Sequence, residues 1–409
     1  MLNISDPDLS HRIIPLLRLA FRPFFLGAVL FSLIALTLWG LFWLTGLSWS
    51  PYGGWIWWHA HEMLYGFATA IIVGFLLTAV QNWTGQPSIS GWFLFGLFCL
   101  WLASRVLLLF PIGGIVFLPW FDVSFLLVSA GIMAWLVIRA GQKQQLILVG
   151  LLSLLAFSNA QMHWALMGGD NLLSKSASHG GLFLIVLMIV IMGGRVIPFF
   201  TANGTNTQRN NPLPYVEKLS FASVAILALL NLTGWSHDLP DIVTGLLFLL
   251  AGITNLVRFL NWRPWITLNI PLLWSLHAAY LMIVLGFFLA GIRFILLSTG
   301  SSEVLNFNYA TILHSFTIGG TGLLIMAMIA RVSLGHTGRE LTVNGWMSCG
   351  FLMIIGAFAC RVLLPILIPS SSHYLSYLLS IVFWLIGYGI FVIIYFPVLT
   401  KTRVDGRPG

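Results

Sequence analysis

The stretch WIWWHAHEMLYGFATAIIVGFLLTAV, residues 55–80, decides the fold. From Met63 to Val80 it carries no charged residue. A helix rises about 1.5 Å per residue, so about 20 apolar residues cross the hydrocarbon of a bilayer. The head of the same run holds His59, His61 and Glu62. Ionisable groups inside a bilayer are costly unless paired, which makes them functional candidates. The segment reads as a membrane helix with chemistry at one end.

The rest of the chain extends that reading. Apolar runs at 22–46, 55–80, 90–110, 117–140, 145–167, 178–200, 218–236, 240–260, 270–298, 307–332, 343–367 and 374–399 predict twelve transmembrane helices, an all-α polytopic membrane protein. Of 409 residues, 59% are hydrophobic and 7% charged. Soluble domains carry about a quarter charged residues, so a soluble globular protein and a disordered chain are both excluded. The expected organisation is one membrane domain over 1–409: a cytoplasmic or interfacial segment 1–21, twelve helices over 22–399, and a cytoplasmic tail 400–409. Leu9, Ile13, Leu16, Leu17 and Ala20 recur at helical spacing beside Arg12 and Arg18, which predicts an interfacial helix.

The net charge of +8 would suggest nucleic acid in a soluble protein. Here it follows the positive-inside bias. With both termini cytoplasmic, every Lys and Arg falls at a cytoplasmic end except Arg105, Lys175, Arg293 and Arg361. No nucleic-acid partner is needed; the neighbours are membrane lipid. Cys99, Cys349 and Cys360 lie inside spans and form no C-x-x-C pair.

The second and tenth spans match each other. His61 and His314 open them, Gly66 and Gly319 follow five residues on, and Thr84-Gly85 and Thr337-Gly338 close them. The spans after them end Arg105-Val106-Leu107-Leu108 and Arg361-Val362-Leu363-Leu364. His179 opens a weaker third copy in the sixth span. The expected unit is therefore four helices, used three times.

Counting along the helices places His61, His179 and His314 within roughly 10 Å of the outer membrane surface. His59 is near them, and His163 closes the fifth span on the same side. Arg105, Arg293 and Arg361 lie at a similar depth on spans three, nine and eleven. Imidazoles suit haem iron and copper, and guanidiniums suit haem propionates. His61 and His314 are the candidate haem clamp, with Arg105, Arg361 and Arg293 for the propionates. His59 and His61 are two residues apart and point to nearly opposite faces, so they do not share one metal in a regular helix. Glu62 and His59 share a face and are the candidate catalytic or proton-carrying pair. A second polar layer toward the cytoplasm adds His277 and His336 as candidate ligands.

Several stretches in order along the chain resemble the NnrS family: Arg22-Pro23-Phe24-Phe25, Trp58-His59-Ala60-His61-Glu62-Met63, Gly74 to Val80, Asn82-Trp83-Thr84-Gly85, Gly194 to Thr201, Leu276-His277, and Arg331 to Arg339. His163 and Cys99 belong to no motif of that family. The resemblance implies a bacterial inner-membrane protein containing haem b and copper, tied to nitric oxide metabolism, nitrosative stress and denitrification. It implies an unidentified electron donor if nitric oxide is reduced. Carried onto this sequence, it makes His59, His61, His179, His277, His314 and His336 candidate metal ligands. Histidines on helices two, six and ten also resemble the layout of the haem-copper oxidase catalytic subunit, although the paired histidines after the start of helix seven are missing. Two other readings stay open: a transporter for a metal or metal complex that uses the same histidines, and a haem-loaded sensor or assembly partner without turnover.

Overall fold

The computed structural model describes residues 12–111, 117–301, 308–368 and 373–407. It is all-helical, with no strand among the described residues. Among the described residues, twelve helices are long and apolar enough to cross a membrane: α1 (Phe21–Thr45), α2 (Gly54–Thr84), α3 (Gly91–Leu109), α4 (Leu118–Arg139), α5 (Lys143–Gly168), α6 (Asn171–Thr205), α7 (Pro214–Leu232), α8 (Asp241–Asn261), α9 (Pro271–Ser298), α10 (Tyr309–His336), α11 (Gly345–Leu367) and α12 (Tyr374–Thr400). Each falls on a run expected from hydropathy, which identifies a multi-pass membrane protein.

The ends follow ordinary capping chemistry. Asn308 and Asn344 side chains accept from the amides of Thr311 and Met347, satisfying donors that the helix leaves open. Helix α6 is longer than its apolar run because Asp170 starts it early, accepting from the amides of Leu172 and Leu173 at 3.0 and 2.9 Å. Polar Asn171 to Lys175 thus extend the helix outward. At the N-terminus the expected interfacial helix is reduced, among the described residues, to one 3-10 turn at Pro15–Leu17; residues 1–11, with Leu9, lie outside the described residues.

Three helices wind more loosely along part of their length. Glu62–Ala68 in α2, Ser315–Gly322 in α10 and Ala359–Leu363 in α11 are π-helical. Such segments shift the helix faces and gather at functional positions.

The chain divides into two compact units. One comprises Met1–Ser178, Ile329–Leu341 and Phe391–Gly409, and the other His179–Met328 and Thr342–Ile390. In the first, Phe24 lies against Phe98, Trp101 and Phe125, and α1 approaches α2 where Gly74 leaves room for the Phe24 side chain. In the second, Phe183, Phe248, Phe287 and Phe316 build the aromatic core.

Candidate metal centre

Four helices of the first unit bring ionisable side chains to one buried point. Helix α2 supplies His61 and Glu62, α3 supplies Arg105, α4 supplies Asp122, and α5 supplies Asn159 and His163. All six are at most 2% exposed. Asn159 and His163 are four residues apart and so share one face of α5.

The contacts interlock. Arg105 spreads its guanidinium between two carboxylates, giving Nη1 to Glu62 Oε2 at 2.8 Å and Nη2 to Asp122 Oδ1. Glu62 Oε1 lies 3.1 Å from His61 Nδ1. His61 Nε2 faces Asn159 Oδ1 at 2.8 Å and Asp122 Oδ2 at 3.0 Å. Asp122 Oδ2 also lies 3.1 Å from His163 Nε2 and accepts from Asn159 Nδ2 at 2.6 Å. Trp57 stacks on the His61 ring with centroids 4.5 Å apart. Tyr52, just before α2, lies 3.5 Å from His163 Nδ1 through its hydroxyl. Burial pushes the Tyr52 phenol above its ordinary pKa, so that hydroxyl keeps its proton.

Gly66 makes the ion pair possible. A methyl group there would come within 2.5 Å of Glu62 Oε2 and 2.8 Å of Arg105 Nη1. Its carbonyl in turn accepts from Trp101 Nε1 at 2.9 Å. The π-helical turn therefore starts at Glu62 and holds the glycine over which the acid and the guanidinium meet.

The His61 imidazole sits among acceptors on both sides. Nδ1 meets a carboxylate oxygen, and Nε2 meets an amide oxygen and a second carboxylate oxygen. Reversing the Asn159 amide does not help, since its oxygen would then face Asp122 Oδ2 at 2.6 Å. A neutral imidazole donates once, so one nitrogen would oppose lone pairs. Charge leads to the same point: two carboxyl groups, Glu62 and Asp122, share one guanidinium, Arg105, among these six residues, and an unbalanced buried charge is costly. A cation beside Nε2, or one further proton within the cluster, resolves both problems.

One ring nitrogen each of His61 and His163 and an Asp122 oxygen all lie within 4.8 Å of one another. Two imidazoles and a carboxylate form a donor set for copper, zinc, iron or nickel. Glu62 on the outer nitrogen of His61 gives the carboxylate–imidazole support usual behind such ligands. These residues fit a metal ion. They do not fit a haem iron: protein oxygens stand at Nε2, Glu62 stands at Nδ1, and Trp57 covers one ring face. Arg105, expected at a propionate, is taken up by Glu62 and Asp122.

The other expected site residues lie elsewhere. His59 is half-buried and stacked on Trp39 at 4.4 Å, apart from His61. In the second unit His179 meets Tyr309 edge-on at 5.5 Å, and Arg293 acts electrostatically on the same tyrosine. His314 Nδ1 donates to the Ala310 carbonyl at 2.6 Å. Arg361 lies over the Tyr377 ring at 4.1 Å and reaches Thr311 Oγ1 at 3.4 Å. His277 Nε2 pairs with Thr201 Oγ1 at 2.9 Å. His336 ends α10 in the first unit, against the ring of Phe21. Of the expected residues, His61, Glu62 and Arg105 come together. Asp122, Asn159 and His163 complete the cluster without having been assigned to it.

The family model for NnrS protein matches residues 15–403 of the chain. No curated protein matches it.

Proposed function

Because this chain belongs to the NnrS family, we propose that it is a copper-containing protein of the bacterial inner membrane that handles nitric oxide. Copper binds at His61, His163 and Asp122, with Glu62 orienting His61 and Arg105 holding both carboxylates. The observation that carries this reading is His61 Nε2 facing two oxygen acceptors while Nδ1 faces a third. Bound copper supplies a redox-active site for a small diatomic ligand; the protein buries it, fixes its ligands and keeps water away.

Haem b is the second proposed cofactor, assigned to the second unit. His314 is its candidate ligand there, with Nδ1 anchored on a carbonyl. Arg361 has no carboxylate partner among the described residues, which suits a propionate. We also propose the three-copy arrangement of four helices, supported by the π-helical turns that follow both His61 and His314, and a cytoplasmic location for both chain ends, supported by the distribution of Lys and Arg.

Metal and haem analysis of the purified full-length protein, with its visible spectrum before and after nitric oxide, tests this reading. Wild type should hold one copper per chain, and His163→Ala should lose it while keeping haem. Wild-type protein free of metal would remove the copper reading. A colourless protein that carries metal ions across proteoliposome membranes would favour a transporter. Haem and copper without consumption of nitric oxide in the presence of an electron donor would favour a sensor.

A further inference from the structure

The opposite concentration of charge lies at the helix ends of the first unit. Arg18 precedes α1, Arg22 lies in its first turn, Arg339 follows α10, and Arg403 follows α12. They act on one another: the positive charges of Arg18, Arg339 and Arg403 all repel Arg22. Arg18 and Arg22 are 8% and 0% exposed. The carboxylate that meets this group is Asp405, which accepts from Arg403 Nε and Nη2 at 2.8 and 2.6 Å and lies 3.9 Å from Arg407. Among the described residues, Asp405 is the one carboxylate ion-paired within this cluster.

Most of these donors have defined acceptors. Arg22 Nη1 gives to the carbonyls of Leu399 and Lys401 at 2.9 and 2.7 Å. Arg18 Nε gives to the Ile13 carbonyl at 3.0 Å. Arg403 Nη1 gives to the His336 carbonyl at 2.8 Å. Arg339 Nη1 is buried and meets no acceptor among the described residues. A buried guanidinium nitrogen without an acceptor loses its hydration with nothing in return. The nearby tail is held in place, since the Val404 amide donates to the Thr337 carbonyl at 3.2 Å. Gly338 has φ +76, and a methyl group there would come within 2.9 Å of the Asp405 carboxyl carbon, so the loop bearing Arg339 packs closely on that tail.

We propose that Arg339, with Arg18, Arg22 and Arg403 around it, binds a phosphate group. The chemistry is a monoanionic or dianionic tetrahedral oxyanion, for which a guanidinium fork is the fitting donor. The place is the level where apolar helices end, where basic pockets meet lipid head groups. The phosphate comes from an anionic phospholipid or from solution, and the two sources are separable.

The test uses full-length protein in a neutral detergent. Thermal unfolding is followed with added phosphatidylglycerol, with phosphatidylcholine, and with inorganic phosphate, and native mass spectrometry counts retained lipid. Phosphatidylglycerol should stabilise wild type and remain bound. Arg339→Gln should weaken that binding at least about fivefold, while Arg339→Lys, which keeps the charge, should retain most of it. Equal stabilisation by inorganic phosphate, lost in Arg339→Gln, assigns the site to free phosphate and still supports it. No response of wild type to either phosphate source overturns the proposal, as does an equal response in wild type and Arg339→Gln. If Arg339→Gln does not fold, the wild-type response and its retention in Arg339→Lys decide.

Discussion

The region around His61 and the region around His314 start from the same letters and end in different chemistry. Each histidine closes a regular helical segment, and each is followed at once by a π-helical turn. Each turn carries a glycine five residues beyond the histidine, and an arginine on the next span lies nearby in sequence order. Around His61 the glycine lets Glu62 meet Arg105, and Asp122 on α4 takes the other half of the guanidinium. Around His314 the residue after the histidine is Ser315, which gives its hydroxyl to the Met282 carbonyl at 2.7 Å. The partner of Arg361 is the Tyr377 ring, and Gly319 faces Phe358 and Met282. Similar letters therefore carry two carboxylates beside the imidazole at His61, and at His314 an imidazole whose Nδ1 donates to a backbone carbonyl. Among the described residues the carboxylates Glu62 and Asp122 mark the difference, since the histidine and the arginine are common to both.

The comparison can be broken most decisively at Asp122. Asp122→Ala should leave Arg105 buried with half its fork empty and cost about 3–5 kcal/mol, read as a large fall in melting temperature, together with loss of bound metal. Arg361→Gln should leave metal content unchanged. Equal loss of metal in both variants would dissolve the distinction between the two regions. Removing a ligand without removing a charge partner is the next largest change. His163→Ala should lower copper content about tenfold or more and His314→Ala should not, as metal analysis of the two variants would show; loss of a residue that merely supports a ligand already costs about 10- to 100-fold in affinity.

The glycines sharpen the comparison further. Gly66→Ala should force Glu62 from Arg105 and weaken metal binding, whereas Gly319→Ala should cost roughly 1–3 kcal/mol of stability by overpacking with metal content intact. Titration of both variants with copper separates these outcomes. The smallest effect is expected at Arg361→Lys. It gives up stacking on Tyr377, worth about 0.5–2 kcal/mol, and should lower melting temperature slightly. Arg105→Lys, which cannot bridge two carboxylates with a planar fork, should cost clearly more.

The twelve spans were legible because a bilayer accepts few solutions: backbone groups must be satisfied within each helix, and side chains must be apolar for the length of the crossing. The end of α6 was not, because a single cap at Asp170 extends the helix past its apolar run. His61, Glu62 and Arg105 announced themselves as ionisable residues inside spans. Asp122 belongs to the same class and sits in LPWFDVSFLL, residues 118–127, but one acid in an apolar run does not say which partner it meets. Asn159 and His163, four apart on one span, were a readable pair in hindsight. Their meeting with α2 depends on which helices are neighbours, and helical periodicity does not encode that. The π-helical turns were likewise unreadable, since they alter the winding of a helix and leave its composition untouched.

Arg22 also sets a schedule. Its guanidinium closes on the carbonyls of Leu399 and Lys401, the first of these 377 residues later in the chain. At usual translation speeds of about 5–20 residues per second, roughly 20–75 s separate the emergence of the arginine from that of its acceptors. Throughout that interval the first helix is in the membrane while those two acceptors do not yet exist. Completion of the chain is thus written into the bonding of its beginning, and a copy that stops short of Leu399 carries an unfinished first span as the mark of its own truncation.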